Sequence, residues 1–335
     1  MPLAPSSPAR VICVGHAAFD AVYRIDMLPS RPTKVRASRF DQSVGGMAAN
    51  AACTVAALGG QVSFCGPVGD DEIGDRILAA LRQAGVATHA ALIVPGARSS
   101  HSAIVVQADG ERLIISHHGD ALEADAGALA QRALDADAVL IDVRWPAGAM
   151  ALADRARSGG LPIVLDGEMG NPALLAALVP RADHVIFSES GFAEWLQVRC
   201  GRPLGGEEPA GVGAQLAGIV AAGATLAAVT FGERGVVWAL RGDTAGASGS
   251  TSGAAATIGR LPAFAVEVVE TLGAGDAFHG AYALALAERS APLDALRFAA
   301  AAAALRCTRR GGNRDLPTRA EVLALLRDQP SAGCS

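Results

Sequence analysis

Glu270-Thr271-Leu272-Gly273-Ala274-Gly275-Asp276-Ala277-Phe278 runs directly into an alanine-rich helical segment, residues 274–288. Gly273 and Gly275 let the backbone turn without a Cβ. The amides of Ala274, Gly275 and Asp276 can then point outward at a helix N-terminus, where the dipole favours an anion. An aspartate in the first turn of that helix stands beside the anion, placed to accept a proton from a hydroxyl. Aspartate is also a preferred helix cap, and on this stretch alone capping and catalysis weigh equally. Two other phosphate-binding loops are excluded. A dinucleotide fingerprint, G-x-G-x-x-G, needs glycine where Phe278 stands, and a Walker A loop needs Gly-Lys-Ser/Thr, whereas the single lysine of the chain, Lys34, follows Thr33.

Working outward from this turn, short apolar runs of β character alternate with helical segments. The runs are 11–15, 62–66, 139–143, 163–166, 185–188 and 226–231. Among the helical segments, 72–84 places Ile73, Ile77, Leu78 and Leu81 on one face, and 147–157, 274–288 and 292–306 read similarly. Continuous apolar strands separated by helices predict an α/β fold with a parallel sheet covered on both faces. Two pieces break the rhythm. Residues 16–44 are polar and Arg-rich, with Pro29 and Pro32, and 97–118 read as a hairpin in which 102–107 turns through Asp109 and Gly110 into 112–116. They are taken as a small β lid, 16–44 with 97–118, over a core of 10–15, 45–96 and 119–330. The Gly- and Ser-rich stretches 200–213 and 242–259 read as flexible surface loops. The uncharged stretch 209–232 is long enough for a bilayer, but its glycines and polar residues favour a helix over 213–222, a stop at Gly223 and a buried strand over 225–231.

Composition narrows the function. With 335 residues, 51% hydrophobic and 18% charged, the chain has ample apolar surface for a large folded core, and 4% aromatics makes that core aliphatic. Its 28 basic residues against 33 acidic ones give a net charge of −5, without the basic surplus that nucleic acid requires. Cys13, Cys53, Cys65, Cys200, Cys307 and Cys334 form no C-x-x-C pair, which argues against zinc and for small apolar side chains in a reducing compartment. The apolar run after Arg10 is too short for a signal peptide, so neither nucleic acid nor membrane is expected as a partner and a cytoplasmic location is expected.

Taken with Val44-Gly45-Gly46-Met47-Ala48-Ala49-Asn50, Leu58-Gly59 and Val68-Gly69-Asp70-Asp71-Glu72-Ile73-Gly74, the chain resembles the ribokinase-type carbohydrate kinases of the PfkB family. The D-T-x-G-A-G-D signature of that family matches from Thr271 onward, with Glu270 in place of its first Asp. The resemblance implies a ribokinase-like three-layer α/β/α fold with a mostly parallel central sheet and a small β-sheet lid. It implies that Asp276 is the catalytic base, with Gly273, Ala274 and Gly275 as the anion hole. Thr230, Gly232 and Gly235 would form the nucleotide-phosphate loop, with Thr271 and Ser188 on the same side. Asp20, Gly45, Gly46 and Asn50 would hold sugar hydroxyls, which suits them chemically, since a carboxylate or an amide can bind vicinal hydroxyls and two glycines admit the ring. ATP and Mg²⁺ are the implied cofactors, a monovalent cation is left open by Glu270, and family lids often pair as homodimers. The family's N-x-x-E run is replaced here by Ser188-Glu189-Ser190-Gly191, which leaves Glu189 either acting on magnesium through water or starting a surface helix.

For the substrate, Lys34 in the lid and Arg144 at the end of the run 139–143 are the cations placed to meet an anionic substituent. Taken singly, each also reads as a solvated surface residue. The runs Asp142-Val143-Arg144-Trp145, Leu165-Asp166-Gly167, Phe187-Ser188-Glu189, Phe278-His279-Gly280 and 306–312 resemble the sulfofructose kinase branch, close to ketohexokinases. That implies a ketose or an anionic ketose such as 6-deoxy-6-sulfofructose. A fructokinase, ribokinase or nucleoside kinase of the same fold is the alternative, and an NAD(P)-dependent dehydrogenase, opposed by Phe278, is the alternative of another class. His279 reads as packed or nucleotide-side, and His117-His118 as a solvated edge within reach of substrate.

Overall fold

The computed structural model describes residues 8–109, 111–130, 134–201, 209–242 and 256–330. Gly110, Cys334 and parts of the expected loops 200–213 and 242–259 lie outside the described residues. In chain order the strands are β1 (Arg10–Val14), β2 (Ala18–Arg24), β3 (Arg39–Gly45), β4 (Gln61–Cys65), β5 (Pro67–Gly69), β6 (Leu92–Val94), β7 (His101–Val106), β8 (Arg112–His117), β9 (Ala138–Ile141), β10 (Ile163–Gly167), β11 (His184–Ser188), β12 (Leu226–Thr230), β13 (Val236–Arg241) and β14 (Ala256–Leu261). The helices are α1 (Met47–Ala57), α2 (Glu72–Gln83), α3 (Gly127–Ala130), α4 (Pro146–Ser158), α5 (Pro172–Leu178), α6 (Glu189–Cys200), α7 (Pro209–Ala221), α8 (Ala274–Ala287), α9 (Pro292–Cys307) and α10 (Arg319–Asp328).

One sheet carries the order β14-β13-β12-β11-β10-β9-β1-β4, parallel from β12 to β4 and antiparallel across β12, β13 and β14. Its central strands are buried on both faces, as their unbroken apolar runs dictate, and alternate residues feed two cores. Cys13, Leu140, Val164 and Ile186 join α1, α8 and α9 on one side. Val14, Val139, Leu165 and Phe187 join α4, α5, α6 and α7 on the other. The fold is therefore the expected three-layer α/β/α arrangement.

Two corrections concern β14 and α7. Residues 256–259, expected in a loop, pair with β13 at the sheet edge, where exposed Thr257 and Ile258 leave a weak apolar signal. Helix α7 begins at Pro209 rather than 213, because proline fits the first turn of a helix. Among the described residues no helix is long and apolar enough to cross a membrane.

A separate four-stranded sheet has the order β3-β2-β7-β8 and contains the expected hairpin, β7 with β8. Register sorts its two faces. Ser43, Asp20, Ser102 and Ser116 form one cross-strand row, next to the row with Val22 and Ile104, which pack on Leu272 beside the α8 entrance. Phe40, Tyr23, Val105 and Leu113 form a row on the opposite face, where Phe40, Tyr23 and Leu113 are exposed.

Candidate active site

Helix α8 opens at Gly273, whose φ of 74° is left-handed and favours glycine. The Ala274 amide donates to the Thr271 carbonyl at 3.3 Å, so the expected three-amide anion hole narrows to Gly275 and Asp276, in the first turn where N–H groups have no intrahelical acceptor. Nothing stands within 4 Å of where a Cβ on Gly275 would lie, so this turn faces open space. Asn50, in the first turn of α1, donates its Nδ2–H to Asp276 Oδ2 at 2.6 Å. Burial, and then the nearby Asp166 carboxyl, push the Asp276 carboxyl up to about 7, against the pull of the Asn50 bond. Such a group is half-ionised near neutral pH, as a general base should be.

Behind it lies His279, whose Nδ1 meets the Gly275 carbonyl at 2.8 Å and whose Nε2 meets the Ile186 carbonyl at 3.1 Å. The ring thus sits between the α8 entrance and β11. Burial lowers its pKa, and a neutral ring carries one N–H, so it donates to one of these two carbonyls while both nitrogens face the backbone instead of the crevice.

The residues expected on the sugar side converge from three elements. Asp20, on the inner face of β2, lies against Gly45 so closely that a Cβ at Gly45 would collide with its carboxylate. Burial raises Asp20 to about 6, with a Ser102 hydrogen bond opposing. Gly46 has φ of 92° and its Cβ would strike the His16 carbonyl and Ala17, so the β3 to α1 turn admits only glycine. Asn50 Oδ1 accepts from Asn313 Nδ2 at 2.5 Å, and that same nitrogen reaches the Val44 carbonyl at 3.0 Å. Asn313 was missed from sequence; its only signal is the preceding pair Gly311-Gly312, both left-handed. Asp142, buried after β9, accepts from the amides of His16 at 2.8 Å, Ala48 at 3.1 Å and Arg144 at 2.8 Å, tying β1, α1 and β9 together.

On the nucleotide side, Ser188 caps α6 by accepting from the Gly191 amide at 2.9 Å and donates to Glu168 Oε1 at 2.9 Å. Glu189 is not free: both its oxygens pair with Arg234 at 2.7 Å, which makes it a helix-start ion pair. A Cβ at Gly191 would collide with the Gly167 carbonyl, which explains why the later glutamate of N-x-x-E has no counterpart on α6. The carboxylate beside Ser188 comes from Glu168 instead, a residue that sequence reading passed over. Thr230 donates to the Phe187 carbonyl at 3.3 Å. Gly232, with φ of 57°, has open space around it, whereas Gly235 is required by the close approach of the Leu261 carbonyl from β14. Thr271 is exposed and accepts from Arg112 of β8 at 2.8 Å.

The two cations expected for an anionic substituent part company. Lys34 lies in the exposed segment between β2 and β3. Arg144 follows β9, and its partly buried guanidinium lies against Gly170, forms no ion pair within 4 Å among the described residues, and opposes the rise of the Asp142 and Asp166 carboxyls. Near it is His16, whose buried Nε2 has no hydrogen-bond partner and whose ring stands 5.8 Å from that of His118. Burial, with His118 and Arg144 adding to it, pushes His16 down to about 4.

A parallel sheet whose strand ends meet a helix entrance carrying a raised carboxylate suits the transfer of a phosphoryl group to an alcohol. The chain matches the pfkB family carbohydrate kinase profile over residues 8–319. It is 32% identical over 331 residues to the ribokinase of Bacillus subtilis, covering 95% of this chain and 99% of that protein. It is 28% identical to fructokinase-1 of Oryza sativa, covering 90% and 94%. The structure of Arabidopsis thaliana ribokinase complexed with ribose and ATP superposes with a TM-score of 0.78 at 26% identity, covering 96% and 99%. This protein belongs to the pfkB family and is a carbohydrate kinase of the ribokinase and fructokinase type.

Proposed function

We propose that the protein transfers the γ-phosphoryl group of ATP to a primary hydroxyl of a ketose, favouring one with an anionic substituent such as 6-deoxy-6-sulfofructose. The observation that carries this is the 2.6 Å bond from Asn50 to Asp276, which joins the sugar-side cradle to the base at one point. Asp20 and Asn50 hold hydroxyls, Gly45 and Gly46 admit the ring, and Asp276 takes the proton of the hydroxyl that attacks. The Gly275 and Asp276 amides meet the charge that develops on the transferring group. Thr230 and Gly232 border the nucleotide. The four-stranded sheet acts as the lid, its inner row of Ser43, Asp20, Ser102 and Ser116 facing sugar hydroxyls, and closure excludes the water that would compete as acceptor.

The anionic preference rests on Arg144, whose guanidinium, facing the Asp142 and Asp166 carboxyls but in no close ion pair, offers a planar fork beside His16. Lys34 remains a lid cation at the surface. Among the described residues no group of three or more His, Cys, Asp or Glu side chains is placed to hold a metal ion. Mg²⁺ would bind chiefly through phosphate oxygens and keep several waters. Glu168, oriented by Ser188, would hold one such water, and the ion would neutralise phosphate charge. Pairing of two chains through the outer lid face is proposed from the exposed Tyr23, Phe40, Leu113 and Ile115 on that face.

The test is ADP release with fructose, sulfofructose, fructose phosphates, ribose and nucleosides. Turnover highest with an anionic ketose supports the assignment. Turnover highest with fructose or ribose moves it to the neutral sugar named by the corresponding relative, and NAD(P)H turnover without ADP release would overturn it.

A further inference from the structure

Arg306, at the end of α9, is 1% exposed and the largest fully buried side chain described. A guanidinium removed from water is unfavourable unless it is paired and hydrogen-bonded, and an ion pair at such a site seldom stabilises a fold more than apolar packing would. Its surroundings suggest another purpose. Nη2 donates to Glu270 Oε1 at 3.3 Å, Nη1 donates to the Arg309 carbonyl at 2.9 Å, and Nε lies 4.0 Å from where a Cβ on Gly273 would stand. Glu270 is itself buried, and its other oxygen accepts from Arg24 of β2 at 2.6 Å. Arg24 in turn faces Asp41 of β3 at 4.0 Å, so guanidiniums and carboxylates alternate along this row and Arg306 is its positive end, beneath the turn that opens α8. The segment before that turn is also fastened to α9, since the amides of Val269 and Glu270 both donate to the Cys307 carbonyl, at 2.8 and 3.0 Å.

We propose that Arg306 is a positioning residue for phosphoryl transfer. It holds the Gly273 turn in its left-handed shape and supplies a fixed positive charge behind the Gly275 and Asp276 amides, where negative charge accumulates in the transition state. Both oxygens of Glu270 are engaged by guanidiniums, so the site has a built-in cation and turnover does not depend on an alkali metal ion. This inference rests on the kinase reading above and refines its anion hole.

The wild-type protein is assayed first, in potassium, sodium and tetramethylammonium chlorides at equal ionic strength. Rates equal within about twofold are expected, and a several-fold rise with potassium would overturn the built-in cation. Arg306→Met, Arg306→Lys and Glu270→Gln follow. The Met variant is expected to lose about 10- to 100-fold in kcat with KM for sugar nearly unchanged, less than the roughly 10²- to 10³-fold of a donor in direct contact with the transition state, because Arg306 acts from behind the turn. Lysine should recover part of the loss, as should guanidinium chloride at tens of millimolar added to the Met variant. A Met variant within threefold of wild type, or one whose loss is answered by neither lysine nor guanidinium, refutes the role. If the Met variant does not fold, the salt series on wild type and the kcat of Glu270→Gln decide; an unchanged kcat in the latter refutes it. An inactive wild type toward every sugar would refute the kinase reading, a failure distinct from these.

Discussion

Replacing Asp276 by asparagine separates catalysis from stability in one substitution. The amide is isosteric, and its oxygen can keep the 2.6 Å bond from Asn50, so the local structure should persist. Catalysis should not: loss of a general base lowers kcat by about 10²- to 10⁴-fold. Stability should move the other way. Burial beside Asp166 raises the folded carboxyl to about 7, whereas in the unfolded chain it titrates near 4, so the stabilisation of the protonated form is complete at low pH and is lost as pH climbs to about 7. At 1.36 kcal/mol per pKa unit the loss approaches about 4 kcal/mol at most, with about 3 kcal/mol of it falling between pH 5 and 8. The variant, which carries no charge at any pH, escapes this loss. Chemical denaturation at pH 5 and pH 8 should therefore show Asp276→Asn gaining on wild type as pH rises, and a thermal melt at pH 8 should show it melting a few degrees higher. A stability difference identical at the two pH values would falsify the strained carboxylate, and near-normal turnover would remove Asp276 from the mechanism.

For wild type, kcat/KM should rise about tenfold per pH unit below about 7 and level off above it, since only ionised Asp276 accepts the proton; a flat profile from pH 5.5 to 8 contradicts this. Glu168→Gln should raise the Mg²⁺ concentration giving half-maximal rate by about 10- to 100-fold, while sugar binding measured by calorimetry without nucleotide stays unchanged. Glu189→Gln, which loses only an exposed ion pair, should leave that requirement within about threefold. Arg144→Ala should cost an anionic ketose about 10- to 100-fold in kcat/KM relative to fructose, the scale of one charged hydrogen bond; an unchanged ratio removes Arg144 from substrate selection.

The parallel core was legible because strands buried on both faces are mostly apolar, and the unbroken apolar runs 138–141, 163–165, 185–187 and 226–229 within β9, β10, β11 and β12 show it. The edge strands were less so. β14 exposes alternate residues, and its sequence carries glycine and threonine, which read equally well as loop. At the site, the glycine turn at a helix entrance singled out Gly273 and Asp276, but capping and catalysis weigh equally there, and only the second motif around Gly45, Gly46 and Asn50, with the resemblance it carries, favours catalysis. Glu168 did not, because its importance arises from what is missing at Gly191: only the close passage of the Gly167 carbonyl shows that α6 cannot carry a side chain there. Arg306 was equally hidden, since an arginine at the end of a helix is ordinarily a solvated one.

The carboxylates at the strand ends show how the fold assigns reactivity. Asp142, Asp166 and Asp276 are all raised by burial, yet they differ in the donors they receive. Asp142 takes three backbone amides, from His16, Ala48 and Arg144, which satisfy its oxygens and make it a fixed joint between β1, α1 and β9. Asp276 receives one side-chain donor, from Asn50, among the described residues. Asp166 faces the neutral ring of His279 at 3.4 Å, too far for a strong bond, so it adds to the field that keeps Asp276 basic. A carboxylate saturated by amides is held in place, whereas Asp276, the proposed base, keeps capacity to take a proton. Asp166 receives still fewer donors, so it is the place of Asp276 in the first turn of α8, and not the donor count alone, that suits it to the proposed role.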